Sequence, residues 1–404
     1  MNILFVQEAR YIHYKGELYS KRITYNTYWN RYLTSFEKVT ILARVKMSNK
    51  LPDNFLCATG FKVNFAPITD YEGPIAFLKN IKSISMQIEE ALKIDAFTVL
   101  RIPSHLGVMV YKKLKKLNKP FCVEVVGNPN EVGKFLPLPF VLKKAYTYFM
   151  TSNMKNIVKN SIGALYVTQY HLQKIYPPKS DAINKYASNV YIPDNLYLSN
   201  LREKNNAIKT IKERVYDSKK EPIKIGVIGM LYSIKSSLEI VEAFYILIKK
   251  GYNLKLEFVG EGPLLKEIIL KSKQLKISKR VICNGSLPSG EKVFSFIDSL
   301  DLYIQFSKTE GLPRAMIEAM ARCCPIVSSN VGGISELLPS DLLVTSMDIK
   351  GLANKIDWLL NNETRLLKAV NDNHVKSKEY LNSNLMQKRL DFYKKVKDKL
   401  IKNI

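Results

Sequence analysis

The strongest constraint on how this chain can fold is a rhythm in its apolar residues. Short, wholly apolar runs alternate with helix-length amphipathic segments, and the alternation is built up twice. Runs without polar interruption mark strands buried on both faces, which is the pattern of parallel sheets covered by helices. The first set includes Ile3 to Val6, Val39 to Ala43, Phe97 to Leu100, Phe121 to Val126 and Ala164 to Val167. The second includes Ile223 to Ile228, Lys255 to Val259, Val281 to Asn284, Leu302 to Gln305 and Pro325 to Ser328. Between them, Asn195 to Pro222 is rich in Asn, Lys, Glu and Ser and reads as a linker or an exposed helical connection. The expectation is an α/β protein with two Rossmann-like domains, 1–194 and 223–383, joined by the 195–222 segment and facing each other across a cleft. A Lys-rich amphipathic helix is expected over 384–404. Ligands of such sheets lie at the carboxyl ends of the strands.

Charge narrows the choice of partner. Lys and Arg number 62 against 36 Asp and Glu, a net charge of +26, so an anionic partner is expected: nucleotide, nucleic acid or lipid headgroup. No nucleic-acid-binding module is visible, which argues against nucleic acid. The stretches Tyr111 to Lys119 and Val141 to Met150 set lysines beside apolar and aromatic residues, a composition suited to an anionic bilayer surface or to a solvated helix face. No run approaches the roughly 18 to 20 apolar residues that cross a bilayer, so membrane contact is expected to be peripheral. The N-terminal apolar run stops at Glu8 and Arg10, too soon for a secretory leader, and reads as a first strand. Cysteines at 57, 122, 283, 323 and 324 form no Cys-x-x-Cys pair and fit a reducing cytosol. His13, His105, His171 and His374 show no metal-ligand spacing, and a Walker-type phosphate loop is absent.

The chemistry concentrates in Glu310-Gly-Leu-Pro-Arg-Ala-Met-Ile-Glu318. Pro313 marks a first helical position, so the amides of Arg314 and Ala315 should point outward from a helix N-terminus that favours a phosphate. Glu310 then precedes the helix and Glu318 lies about a turn and a half inside it. Because helical side chains lean toward the N-terminus, both carboxylates can approach one ligand. The continuation from Ala319 to Glu336 gives the rest of a helix, a buried strand and a Gly332-Gly333 turn opening another helix.

Glu310, Glu318 and the Gly332 to Glu336 turn resemble the Glu-x7-Glu motif and Gly-Gly-x-x-Glu turn of the retaining, GT-B-fold glycosyltransferases of family 4. Ile225-Gly-Val-Ile-Gly-Met-Leu-x3-Lys235, Phe258-Val-Gly-Glu-Gly-Pro263 and Val281-Ile-Cys-Asn-Gly-Ser-Leu287 extend the likeness over roughly residues 223 to 340. In the first half, Arg101-Ile-Pro and Glu124-Val-Val-Gly-Asn-Pro129 resemble a branch involved in capsule or exopolysaccharide assembly. The resemblance implies a GT-B fold whose C-terminal helix crosses back to the N-terminal, acceptor-binding domain, while the C-terminal domain holds the nucleotide sugar. It implies that Glu310 contacts the donor sugar, Glu318 the ribose, and Lys235, with the Arg314 and Ala315 amides, the diphosphate. It places Gly229, ahead of Lys235, among the residues that bind the donor nucleotide and diphosphate, and the loop ending at Leu287 would read the base. On the acceptor side, Glu124 and Asn128 are candidates, and Gly16, in the first strand-to-helix connection, is a candidate near the diphosphate; each has a structural reading too.

One position departs from the family: Met230 stands where an arginine usually follows the glycine. No Asp-x-Asp occurs, so neither a metal nor another cofactor is implied besides the donor. The expected activity is transfer of a sugar from a nucleotide-diphosphate sugar to a glycan or lipid-linked oligosaccharide during bacterial surface polysaccharide synthesis. The expected location is the cytoplasm, peripheral on the inner membrane face. A noncatalytic partner subunit of the same fold and a basic nucleic-acid-binding protein are the alternatives.

Overall fold

The computed structural model describes residues 1–402 except 22, 54, 137, 198–200, 218–220 and 289. The chain divides into two compact units, Met1–Ala187 with Met386–Ile404, and Ser188–Leu385.

Strands of the first unit are β1 Ile3–Tyr14, β2 Glu17–Ser20, β3 Val39–Met47, β4 Leu56–Cys57, β5 Val63–Thr69, β6 Phe97–Ile102, β7 Phe121–Val125, β8 Gly163–Tyr166 and β9 Ile183–Tyr186. The parallel order is β5-β3-β1-β6-β7-β8-β9. Ile3, Leu4, Phe5 and Val6 are wholly buried at its centre, as an uninterrupted apolar run requires. Beyond a register shift between Val6 and Arg10, β1 continues to Tyr14 and turns through Lys15 and Gly16 into the antiparallel β2. Gly16 therefore lies in an exposed β-hairpin and not in a strand-to-helix connection. The half-exposed, mixed sequence Glu8 to Tyr14 conceals this extension.

The last helix, Asn382–Lys402, belongs to the first unit from Met386 onward, where Phe392, Tyr393 and Val396 are buried. The apolar face of an otherwise Lys-rich helix thus finds its core.

The second unit holds β10 Ile223–Ile228, β11 Leu254–Val259, β12 Val281–Cys283, β13 Leu302–Gln305, β14 Ile326–Ser329 and β15 Leu343–Val344. They form a parallel sheet in the order β12-β11-β10-β13-β14-β15. Within the segment expected as a linker, helix Leu201–Lys212 belongs to this unit and buries Ile211. Arg214 just beyond it pairs with the buried Asp301 at 2.6 Å, before β13. Residues 198–200 and 218–220 of that segment lie outside the described residues. The division falls at 187/188, and before the polar stretch begins the Ile192 carbonyl already accepts from Asn382 N–H at 2.9 Å.

Strand order reverses once in each sheet, between β1 and β6 and between β10 and β13. Carboxyl ends of strands at such a reversal leave a crevice, because successive connections leave in opposite directions.

Candidate functional site

At the β10/β13 reversal the loops leaving the two strands lock together. β10 ends at Ile228 and passes through Gly229, whose N–H donates to the Val259 carbonyl at 2.9 Å. A Cβ on Gly260 would stand 1.8 Å from the Gly229 oxygen, so the second loop can only lie there with a glycine. The chain then makes a short turn, Ser233–Lys235, before helix Ser237–Lys249. Across the reversal, Lys308 N–H donates to the Ile234 carbonyl at 2.8 Å.

This backbone tie brings Lys235 Nζ onto Glu310 Oε1. Gln305 Nε2 and Ser307 Oγ donate to the same oxygen, each at 2.6 Å, and Tyr303 donates to Gln305 Oε1 at 2.7 Å. One carboxylate oxygen therefore receives three donors, while Glu310 Oε2 has no partner among the described residues. Such a carboxylate is fixed in direction and keeps one oxygen for a ligand hydroxyl. Its main chain is braced as well. Gly332 adopts φ +56°, its Cβ would fall 1.8 Å from the Glu310 carbonyl oxygen, and Gly333 N–H donates to Gly311 at 2.9 Å. The Gly-Gly turn is required by this backbone-on-backbone contact.

Pro313 precedes the helix, which runs Arg314–Ala321, one residue later than the sequence suggests. No side chain caps its start and no acidic residue occupies its first turn. Its leading amides have no intrahelical acceptor, which makes this end attractive to an anion. Arg314 is exposed there and Ala315 half-buried. The carboxylate of Glu318, half-buried on the same helix, accepts no hydrogen bond from the described residues. Burial raises its pKa above the ordinary carboxylate value, with Arg314 opposing the shift. A half-buried, underbonded carboxylate can accept hydroxyl donors from a sugar. Leu287, half-buried, follows β12 on a loop whose Gly285 carbonyl accepts from Gly260 N–H at 2.7 Å. Met230 is half-buried and brings no charge; Lys308, nearby in sequence to Glu310, pairs with Glu239 at 3.0 Å.

The structure thus gathers Gly229, Lys235, Glu310, Arg314, Ala315 and Glu318 at one reversal. The candidates in the first unit are otherwise engaged. Glu124, 2% exposed, is the β7 register partner of Arg101 and meets it at 3.1 Å. Tyr32 and Tyr393 donate to its other oxygen at 2.8 and 2.9 Å. Burial would raise its pKa, but Arg389, Arg101 and Arg31 outweigh burial and hold it below the ordinary value. Asn128 caps helix Pro129–Gly133, accepting from Asn130 N–H at 3.0 Å and Tyr176 OH at 2.6 Å while donating to Glu131 at 3.1 Å. Both serve the fold, as does Gly16 in its hairpin. Sequence reasoning missed Gln305 and Ser307; polar residues closing an apolar strand just before the key acid were the available signal.

Among the described residues, no cluster of three or more His, Cys, Asp or Glu side chains could hold a metal ion, and no helix is long and apolar enough to cross a membrane.

Two α/β units on mainly parallel sheets, with the candidate site at a strand-order reversal of the second, form a two-domain GT-B-like fold. The HepE protein of Anabaena, solved with UDP and glucose, shares this fold with a TM-score of 0.64 at 14% identity, over 96% of this chain and 98% of that one. The sequence model "Glycosyl transferases group 1" matches residues 208–376. Protein CapJ of Staphylococcus aureus is 32% identical over 366 residues, 88% of this chain and 86% of CapJ. The capsular polysaccharide biosynthesis glycosyltransferase CapM of the same species is 26% identical over 161 residues, 38% of this chain and 41% of CapM. The chain belongs to the group 1 glycosyl transferases and is a transferase enzyme.

Proposed function

We propose that this enzyme is a retaining transferase of family 4. It moves a sugar from a nucleoside diphosphate sugar to a glycan or lipid-linked oligosaccharide in bacterial surface polysaccharide synthesis, at the cytoplasmic face of the membrane, with no metal or other cofactor. The observation that carries this reading is the directed Glu310 carboxylate, held by Lys235, Gln305 and Ser307, with the underbonded Glu318 on the next helix. CapM, named for capsular polysaccharide biosynthesis, and HepE, solved with UDP and glucose, support it.

In this reading Glu310 Oε2 accepts from sugar hydroxyls and Glu318 from the ribose. Lys235 and the open amides of Arg314 and Ala315 face the diphosphate. The anomeric C–O bond to the β-phosphate breaks as the acceptor oxygen bonds to the same carbon on the same face. The acceptor proton passes to the leaving phosphate, so charge and atoms balance without an external base. Stabilising that phosphate is the main catalytic demand, and with Met230 in the usual arginine position the load falls on Lys235, the helix end and Arg314.

Screening sugar nucleotides for thermal stabilisation identifies the donor by mass action. Donor-dependent product should then form with wild type and collapse in Glu310→Ala and Lys235→Ala; wild-type turnover in both variants would refute the assignment. Met230 favours one second reading, a noncatalytic partner subunit, which predicts nucleotide binding without turnover and a gain of activity in Met230→Arg.

A further inference from the structure

We infer that Ser328, Ser329 and Ser346 are positioning residues of the reaction, whose hydroxyls hold the main chain of Gln305 and Ser307 and through it the direction in which Glu310 meets the donor sugar. The inference rests on the donor reading above and adds how selectivity among sugars is built into that site. β14 is buried along its whole length, yet its apolar start, Ile326 and Val327, gives way to two serines with 0% exposure. Hydroxyls at that depth are costly unless each has a partner, and a strand buried on both faces is built most readily from apolar residues alone. Both hydroxyls are directed at β13. Ser328, the register partner of Gln305, donates through Oγ to the Gln305 carbonyl at 2.8 Å. Ser307 lies beyond the β13–β14 ladder, and its carbonyl accepts from Ser329 Oγ at 2.7 Å and from Ser346 Oγ at 3.2 Å. The two residues whose carbonyls are gripped are the two whose side chains donate to Glu310 Oε1. A serine that only satisfies itself in a core behaves differently: Ser272, 2% exposed in helix Leu265–Gln274, returns its hydroxyl to the Ile268 carbonyl of its own helix at 2.7 Å.

Ser346 carries this brace to the other half of the clasp. Its neighbour Met347 stands at φ +69° and receives Ser236 Oγ on its Sδ at 3.7 Å, and Ser236, at φ +52°, directly follows Lys235. Two non-glycine residues in the left-handed region, in contact with each other, are held there by their surroundings against their own preference. The segment Ser346–Met347 thus touches the Ser307 carbonyl on one side and the residue after Lys235 on the other. Lys235 and Glu310, whose side chains meet, are therefore fixed from a common support. A carboxylate held in this way distinguishes one arrangement of sugar hydroxyls from another, because a hydroxyl out of place leaves its oxygen unpaired.

Calorimetry tests the brace with three probes: the sugar nucleotide that gives the largest thermal shift, sugar nucleotides of the same base inverted at one ring hydroxyl, and the bare nucleoside diphosphate. Ser329→Ala with Ser346→Ala should reduce the preference for the selected sugar over its epimers about fivefold. Its affinity for the nucleoside diphosphate should stay within about twofold of wild type. Ser328→Ala, and Ser346→Ala alone, which leaves both strands intact should the double variant fail to fold, should each reduce the preference about threefold. Ser329→Thr keeps the hydroxyl on a side chain suited to a strand and should retain the wild-type preference. Ser272→Ala should lower the melting temperature and leave the preference as it was. Unchanged preference in the alanine variants of the brace, or an equal loss in Ser329→Thr or Ser272→Ala, would overturn the inference. If wild type binds the nucleoside diphosphate without distinguishing the epimers, the brace falls and the donor reading stands; if wild type binds no nucleotide, the donor reading falls and the brace with it.

Discussion

The two strand-order reversals of this molecule have the same architecture and opposite fates. At β1/β6 the crevice is filled from within: Glu8 Oε2 accepts from the Leu106 amide at 3.0 Å and from Ser104 Oγ at 2.9 Å, occupying the start of helix His105–Lys116 with the chain's own carboxylate. At β10/β13 the corresponding helix, Arg314–Ala321, begins with no side-chain cap and no acid, beside Lys235. An internal anion closes the first helix end, while the second has neither a cap nor an acid and stands beside the Lys235–Glu310 pair, which favours an outside phosphate. The buried carboxylates divide in the same way. Glu124 is saturated by two tyrosines and by arginines that lower its pKa, whereas the Glu318 carboxylate has no hydrogen-bond partner among the described residues and its pKa is raised. A saturated acid builds the fold, and an underbonded one keeps its oxygens open to further donors.

The largest effect should come from breaking the saturated side. Glu124→Ala removes the counter-charge facing Arg31, Arg101 and Arg389, and urea unfolding should show a loss of about 3–5 kcal/mol while nucleotide binding by the second unit survives. A loss below about 1 kcal/mol would mean the arginines are compensated elsewhere. Next, Glu310→Ala should lower kcat by about 10²–10³ with little change in melting temperature. Gln305→Leu, which removes one of three donors to Oε1, should cost about tenfold; an effect on stability alone would deny Gln305 a positioning role.

The pH behaviour should sharpen the contrast. Glu318 holds its proton more tightly when folded, so above the ordinary carboxylate pKa it subtracts stability as pH climbs through the raised value. Melting curves of Glu318→Gln should therefore gain on wild type as pH rises through that window. Glu124 has the reverse sign: its contribution is present above the ordinary carboxylate value and disappears as pH falls through the lowered one. Parallel pH profiles for Glu318→Gln and wild type would contradict the burial argument. The smallest effect belongs to Glu8→Ala, about 1 kcal/mol for a lost helix-end acceptor. Thermal shift should detect no new nucleotide site in that variant, since among the described residues no lysine–glutamate clasp like that of Lys235 and Glu310 stands beside it.

Sheet centres were legible because burial on both faces writes itself as uninterrupted apolar runs: Ile3 to Val6, Ile223 to Ile228 and Leu302 to Gln305 all appear as strands. The sheet edges were not. The second half of β1 and the hairpin at Gly16 are half-exposed, so their residues carry no fixed polarity pattern. Glu310 and Glu318 could be found because their spacing is local to one loop and helix. The partners that aim Glu310 were harder: Gln305 looks like a strand residue and Ser307 like a turn residue until their side chains converge. Arg101 and Glu124 stand in separate sequence motifs, yet only the β6–β7 register makes them an ion pair, and only the returning helix brings Tyr393 and Arg389 to the same carboxylate. Such long-range convergence has no signature in spacing along a chain.

The open reversal in the 188–385 unit is the proposed seat of the donor. A crystal structure with the nucleoside diphosphate selected by the thermal screen tests it most directly. The diphosphate should lie against the Arg314 and Ala315 amides and Lys235, with a ribose hydroxyl on Glu318. Nucleotide bound at the β1/β6 reversal, or away from the Arg314–Ala321 helix end, would contradict it.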